Sequence, residues 1–149
     1  MDSSFLDAFS SDLLYPIAII AVSIVMMRMI PRMVAGVPFV EPSMVNELMQ
    51  NGEEVVVIDV RTTDEFTGKL GHMPGAVNLQ GNEIGKRLKS AGGDLEALKN
   101  EKVFVICRTH NRSPRVARVL KKAGFVNVAV VKGGMVSWNN KGLPIESQS

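Results

Sequence analysis

Val103-Phe104-Val105-Ile106-Cys107-Arg108-Thr109-His110-Asn111-Arg112-Ser113-Pro114 is the stretch on which the reading of this chain turns. Its first four residues form a continuous apolar run rich in β-branched side chains. Such a run suits a strand buried on both faces of a parallel sheet. A polar loop with two arginines follows. Ser113 is then expected to cap a helix and Pro114 to fill its first position, where a missing N–H costs nothing. Val116, Ala117, Val119, Leu120 and Ala123 continue at helical spacing, and Gly124 ends the pattern. The segment therefore reads strand, loop, helix.

The same alternation extends in both directions. Residues 55–58 (Val-Val-Val-Ile) and 126–131 read as two further strands, and residues 76–79 as a short one. Helices are expected at 44–50, capped by Ser43 and closed by Asn51-Gly52, and at 63–66, 82–90, 94–100 and 135–140, the last around Trp138. Residues 71–75 read as a turn. Strands alternating with helices on this scale predict an α/β fold, a parallel sheet flanked by helices on both faces.

Upstream lies a different kind of segment. Residues 13–27, Leu-Leu-Tyr-Pro-Ile-Ala-Ile-Ile-Ala-Val-Ser-Ile-Val-Met-Met, carry no charge. Alone they are short for a bilayer core of about 30 Å, but extension to residue 35, with Arg28 and Arg32 snorkelling to head groups, makes up the difference. Asp2, Asp7 and Asp12 precede the run and the two arginines follow it. The positive-inside rule places the downstream side in the cytoplasm. The expected organisation is a short extracytoplasmic N-terminus at 1–12, a transmembrane helix at 13–35, a linker at 36–42 marked by Gly36, Pro38 and Pro42, and one domain at 43–149. The expected location is a single-pass membrane protein with its domain cytoplasmic.

The whole chain has 149 residues, 46% of them hydrophobic, and a net charge of +2. No basic stripe interleaved with aromatics points to nucleic acid. The single cysteine excludes an internal disulfide framework. His72 and His110 have no cysteine cluster near them in sequence, so no metal site and no cofactor is expected.

Chemistry concentrates in the loop after residue 106. In open α/β sheets ligands sit at the C-terminal edge of the strands. A helix N-terminus there offers unpaired N–H groups, and a loop curled around the cysteine would turn its amides into an anion-binding nest. Arg108 and Arg112 add positive charge. Together these features favour thiolate over thiol and mark Cys107 as a nucleophile. The same nest would hold a sulfur anion delivered to it, with Arg108, Thr109, His110, Asn111, Arg112 and Ser113 as the binding loop. The bland alternative is an inert buried cysteine. Cysteine phosphatases use a longer loop, with one more residue before the arginine. Here only Arg108, Thr109, His110 and Asn111 separate Cys107 from Arg112, a smaller pocket better matched to sulfur than to phosphate.

Several ordered motifs resemble the rhodanese family: Val57-Ile58-Asp59-Val60-Arg61 followed by Glu65-Phe66; Gly71-His72-Met73-Pro74-Gly75-Ala76; the Cys107 loop; and Gly133-Gly134 followed by Trp138 and Gly142-Leu143-Pro144. The resemblance covers about residues 40–145. With the hydrophobic N-terminal segment, the chain is similar to the membrane-bound single-domain rhodaneses of bacteria. The resemblance implies sulfur transfer from thiosulfate or a persulfide through a Cys107 persulfide. It places Asp59 and Arg61 beside the site as a supporting ion pair or hydrogen-bond brace, and makes Glu65 and His72 structural. The implied partners are small sulfur-containing anions or persulfide donor proteins, the lipid bilayer, and a membrane protein. The rival from another class is a non-catalytic module binding a partner at a membrane. His110 departs from the glycine common at this place in the family. Histidine there pays a steric cost at positive φ and narrows the mouth, or else supplies an extra donor to an anion.

Overall fold

A computed structural model describes residues 15–27, 36–91 and 94–147. Its strands are β1 (Phe39–Val40), β2 (Val55–Asp59), β3 (Val77–Asn78), β4 (Lys102–Ile106) and β5 (Asn127–Val131). They form one parallel sheet in the order β1-β5-β4-β2-β3. The helices are α1 (residues 15–27), α2 (Pro42–Gln50), α3 (Thr63–Phe66), α4 (Ile84–Ser90), α5 (Asp94–Leu98), α6 (Ser113–Lys122) and α7 (Gly134–Asn140).

The alternation of side chains along each strand divides the core in two. Ile58, Val103, Val105, Val128 and Val130 meet Val116, Ala117 and Leu120 of α6 on one face. Val57, Phe104, Ile106, Ala129 and Val131 meet Val45 of α2 and Met135 and Trp138 of α7 on the other. Both faces of β4 are covered, which is why its sequence is an unbroken apolar run.

Three local features differ from expectation. Residues 36–42, expected as a linker, contribute Val37 to the core and Phe39–Val40 to the sheet edge, where Phe39 and Val40 pair with Val130 and Val131. A two-residue strand beside Pro38 carries too little periodicity to be seen. Helix α2 starts at Pro42, not after Ser43, because proline in the first turn loses no hydrogen bond. Helix α6 starts at Ser113, with Arg112 at the cap position, so Ser113 is not the cap.

The expected transmembrane helix falls only partly within the described residues. Of residues 13–35, only 15–27 are described and helical, a length of about 20 Å at ~1.5 Å per residue. Among the described residues no helix is long and apolar enough to cross a membrane. Residues 1–14 and 28–35 lie outside the described residues.

Candidate functional site

Strand order puts a switch point beside Cys107. From β2 the chain moves outward to β3, then returns to β4 on the other side of β2 and continues to β5. The C-terminal ends of β2 and β4 therefore diverge in their connections, which opens a crevice between them. One end supplies Asp59, Val60 and Arg61, the other Cys107. Val60 N–H donates to the Ile106 carbonyl at 2.9 Å, keeping the two ends together.

Cys107 continues the alternation of β4. Its side chain joins Val103 and Val105 on the α6 face and is 1% exposed. The polar neighbour of the thiol is the Ser113 hydroxyl, with Sγ and Oγ 3.3 Å apart. The residue expected to cap α6 is thus turned toward the sulfur instead. Arg108, Thr109, Asn111 and Arg112 are exposed above this buried thiol.

The backbone of the loop is oriented from the opposite face of the sheet. Met135 N–H donates to the Cys107 carbonyl at 2.9 Å, and Val136 N–H to the Arg108 carbonyl at 3.0 Å. These are first-turn amides of α7, which have no acceptor within their own helix. In a trans peptide the carbonyl and the next N–H point in opposite directions. The amides of Arg108 and Thr109 are therefore turned away from α7. Among the described residues, none of the amides from Arg108 to Arg112 donates to a backbone carbonyl. That run of open donors is what an anion-binding nest requires.

Gly134 makes this docking geometrically feasible. A Cβ on Gly134 would lie 2.3 Å from the Cys107 oxygen and 2.7 Å from the Arg108 oxygen, and its φ is +56. The Gly133-Gly134 pair was visible as a motif, but its contact with the cysteine loop was not.

The two arginine-bearing braces differ in kind. Arg61 and Asp59 are fully buried, and Arg61 Nη2 lies 2.6 Å from Asp59 Oδ2. Arg61 Nη1 donates to the Glu65 carbonyl at 2.9 Å, and Nη2 donates also to the Gly71 carbonyl at 2.7 Å. This pair braces the turn after β2 from inside. Arg112 instead forms a two-pronged pair with Glu65, both bonds 2.7 Å, 47 residues away in sequence. Glu65 is held in turn by the Thr62 N–H at 3.1 Å, as part of a capping box on α3. The Arg112 guanidinium holds the Glu65 carboxyl down at about 2, against an ordinary 4.5. The same pairing raises Arg112, with the Coulombic pull of Cys107 adding to it. The capping pattern Thr62-x-x-Glu65 is legible in sequence, but the partner across the crevice is not.

His110 adopts a φ of 140, the one positive φ outside glycine among the described residues. Its ring meets Phe39 edge-on at 6.2 Å, and its Nδ1 is buried with no hydrogen-bond partner. Such backbone costs on the order of 1–3 kcal/mol, and persists only where surroundings enforce it. His72, by contrast, stacks on Phe66 at 3.7 Å, with Nδ1 3.1 Å from the Phe66 carbonyl.

Beside the loop, on the α6 face, lies a cleft of about 760 Å³. Thr62, Asn111, Arg112 and Arg115 supply polar walls, and Val60 and Val116 an apolar floor.

A parallel α/β domain with a lone thiol at its switch point, and a backbone loop folded over it, defines a narrow structural class. The chain belongs to the rhodanese-like family, whose domain model matches residues 41–141. The Escherichia coli protein YibN is 36% identical over 95 residues, which cover 64% of this chain and 63% of that protein. The match thus spans less than two thirds of that relative. A sulfurtransferase of Allochromatium vinosum is 27% identical over 106 residues, covering 71% of this chain and 92% of its own length. The fold is similar to that of a Pseudomonas aeruginosa thiosulfate sulfurtransferase, with a TM-score of 0.63 and 25% identity over 76% of this chain and 21% of that one.

Proposed function

We propose that this chain moves sulfane sulfur from a donor to a thiophilic acceptor through a persulfide on Cys107. The Cys107 thiolate attacks the outer sulfur of thiosulfate or of a persulfide. The donor's sulfur–sulfur bond breaks, its electron pair leaves with sulfite or the donor thiolate, and a Cys107 persulfide remains. An acceptor thiolate or cyanide then takes the terminal sulfur and restores the Cys107 thiolate. The run of open amides from Arg108 to Arg112 carries this reading, since the attacking, leaving and persulfide species are all anions. Arg108 adds positive charge, Ser113 can donate to the sulfur, and the cleft offers room for the body of a donor.

Intact-mass spectrometry tests it. Incubation with thiosulfate or an organic persulfide should add one sulfur to the wild-type chain and none to Cys107→Ser, and cyanide should remove it. Absence of an adduct with every donor would refute the reading.

The burial of Cys107 favours a second reading, a rhodanese-fold module that binds a membrane partner without turnover. Co-purification of a stoichiometric partner, together with a Cys107 inert to all donors, would establish that alternative.

We further propose that residues 13–35 anchor the domain to a membrane, with the domain on the cytoplasmic side. The apolar side chains of Tyr15, Ile17, Ile19, Ile20, Val22 and Ile24 are all about half exposed or more, a surface water does not favour. Recovery of the full chain in the soluble fraction without detergent would end this proposal. Cleavage of the domain by protease added to intact cells would reverse the orientation.

A further inference from the structure

We propose that Glu65 determines donor specificity by neutralising Arg112 at the rim of the Cys107 loop, so that the site discriminates against doubly charged sulfur donors. The inference rests on the reading of Cys107 as the nucleophile, and it names the class of donor: sulfane-sulfur compounds carrying one negative charge or none.

The sequence alone sets two arginines around the cysteine, an arrangement suited to a dianion such as thiosulfate. The structure removes one of them from that role. Both Arg112 Nη atoms are bonded to the two Glu65 oxygens at 2.7 Å, the matched fork geometry that makes arginine–carboxylate pairs strong. Surface ion pairs are commonly worth little because two long side chains must be ordered. Here the carboxylate is already ordered. Its Oε2 accepts from the Thr62 N–H at 3.1 Å and lies 3.3 Å from the Thr62 hydroxyl. Its backbone carbonyl accepts from the buried Arg61, itself locked on Asp59.

The pair also lies beside a cleft large enough for a ligand. Arg112 lines the cleft beside the loop, and the side chains of Arg112 and Glu65 keep 44% and 29% of their surface exposed. An anion that recruits Arg112 must displace Glu65 or share the guanidinium with it. One that does not still approaches a carboxylate ionised throughout the physiological range. The penalty grows with ligand charge.

Alkylation of Cys107 in the full chain measures this without any sulfur donor. Iodoacetate and iodoacetamide react by the same displacement of iodide and differ by one negative charge. Glu65→Gln keeps the capping box, in which glutamine serves as well as glutamate, and keeps a hydrogen bond to Arg112 while deleting the charge. The iodoacetate-to-iodoacetamide rate ratio should rise about three- to tenfold in Glu65→Gln at low salt, and the rise should shrink at high salt. Arg112→Gln should move the ratio the other way, and the double variant should return it to the wild-type value. With sulfur donors, Glu65→Gln should lower KM for doubly charged thiosulfate more than for an organic persulfide, which carries at most one negative charge.

An unchanged ratio in Glu65→Gln, or a double variant that behaves like Glu65→Gln alone, overturns the proposal. So does a Cys107 that reacts with neither reagent. A ratio that shifts as stated while no donor ever loads Cys107 refutes sulfur transfer and leaves the charge selection standing.

Discussion

The carbonyl oxygen of Cys107 accepts a hydrogen bond from Met135 N–H at 2.9 Å, so the first turn of α7 grips the cysteine's own peptide. The thiol faces α6 and the carbonyl faces α7. The amides that follow are oriented by this grip, from the side of the sheet opposite the sulfur.

Gly134→Ala tests the grip. The new Cβ would overlap the Cys107 oxygen, and alanine is strained at φ +56. The chain should lose about 1–3 kcal/mol of stability. At a temperature where the variant is still folded, Cys107 loading by thiosulfate, read by mass spectrometry, should fall at least tenfold. Loading equal to wild type would mean that α7 does not set the loop.

The buried Asp59–Arg61 pair should be intolerant of half-removal. Asp59→Ala leaves a guanidinium in the core facing only carbonyls, and breaking such a pair costs about 3–5 kcal/mol. Arg61→Lys should also destabilise, since one ammonium cannot serve Asp59, Glu65 and Gly71 in the same planar fork. Urea unfolding measures both. A loss under about 1 kcal/mol for Asp59→Ala would show that the pair is dispensable.

At His110 the usual ranking of small residues should invert. Alanine ordinarily stabilises relative to glycine by limiting the unfolded chain. At φ 140 it inherits the strain, and glycine does not. His110→Gly should therefore be more stable than His110→Ala by about 1–2 kcal/mol, measured as paired melts. Alanine equal to or better than glycine would place no strain at this position.

Acid should loosen the Glu65–Arg112 pair within a defined window. The folded-state value of Glu65 is depressed to about 2 from 4.5. Its contribution is therefore full above the unfolded value and is lost as pH falls through the folded one. The stability gap between wild type and Glu65→Gln should stay constant above about pH 5 and close steadily toward about pH 2. A gap independent of pH over that range would remove the carboxylate from any stabilising role.

The order of buried strands and helices was legible because β4 and β2 are covered on both faces and show it as apolar runs, and because α6 carries its buried residues at helical spacing. Cys107 stood out for the same local reason: it ends the central apolar run, and a helix begins soon after it. Where β1 begins was not legible, since two residues at a sheet edge owe their state to Val130 and Val131 and not to their own pattern.

By itself, then, the sequence determined the alternation of elements, the strand that ends in Cys107 and the polar loop after it, all of which depend on neighbours a few residues apart. The tertiary structure alone decided which charges that loop keeps, which face its amides present, and where the Ser113 hydroxyl goes. Those outcomes depend on Glu65, Gly134 and Met135, brought to the loop by strand order across separations that no local period records. A side chain's neighbours along the chain set its conformation, but its charge and donors are spent on whatever the packed sheet places within about 3 Å.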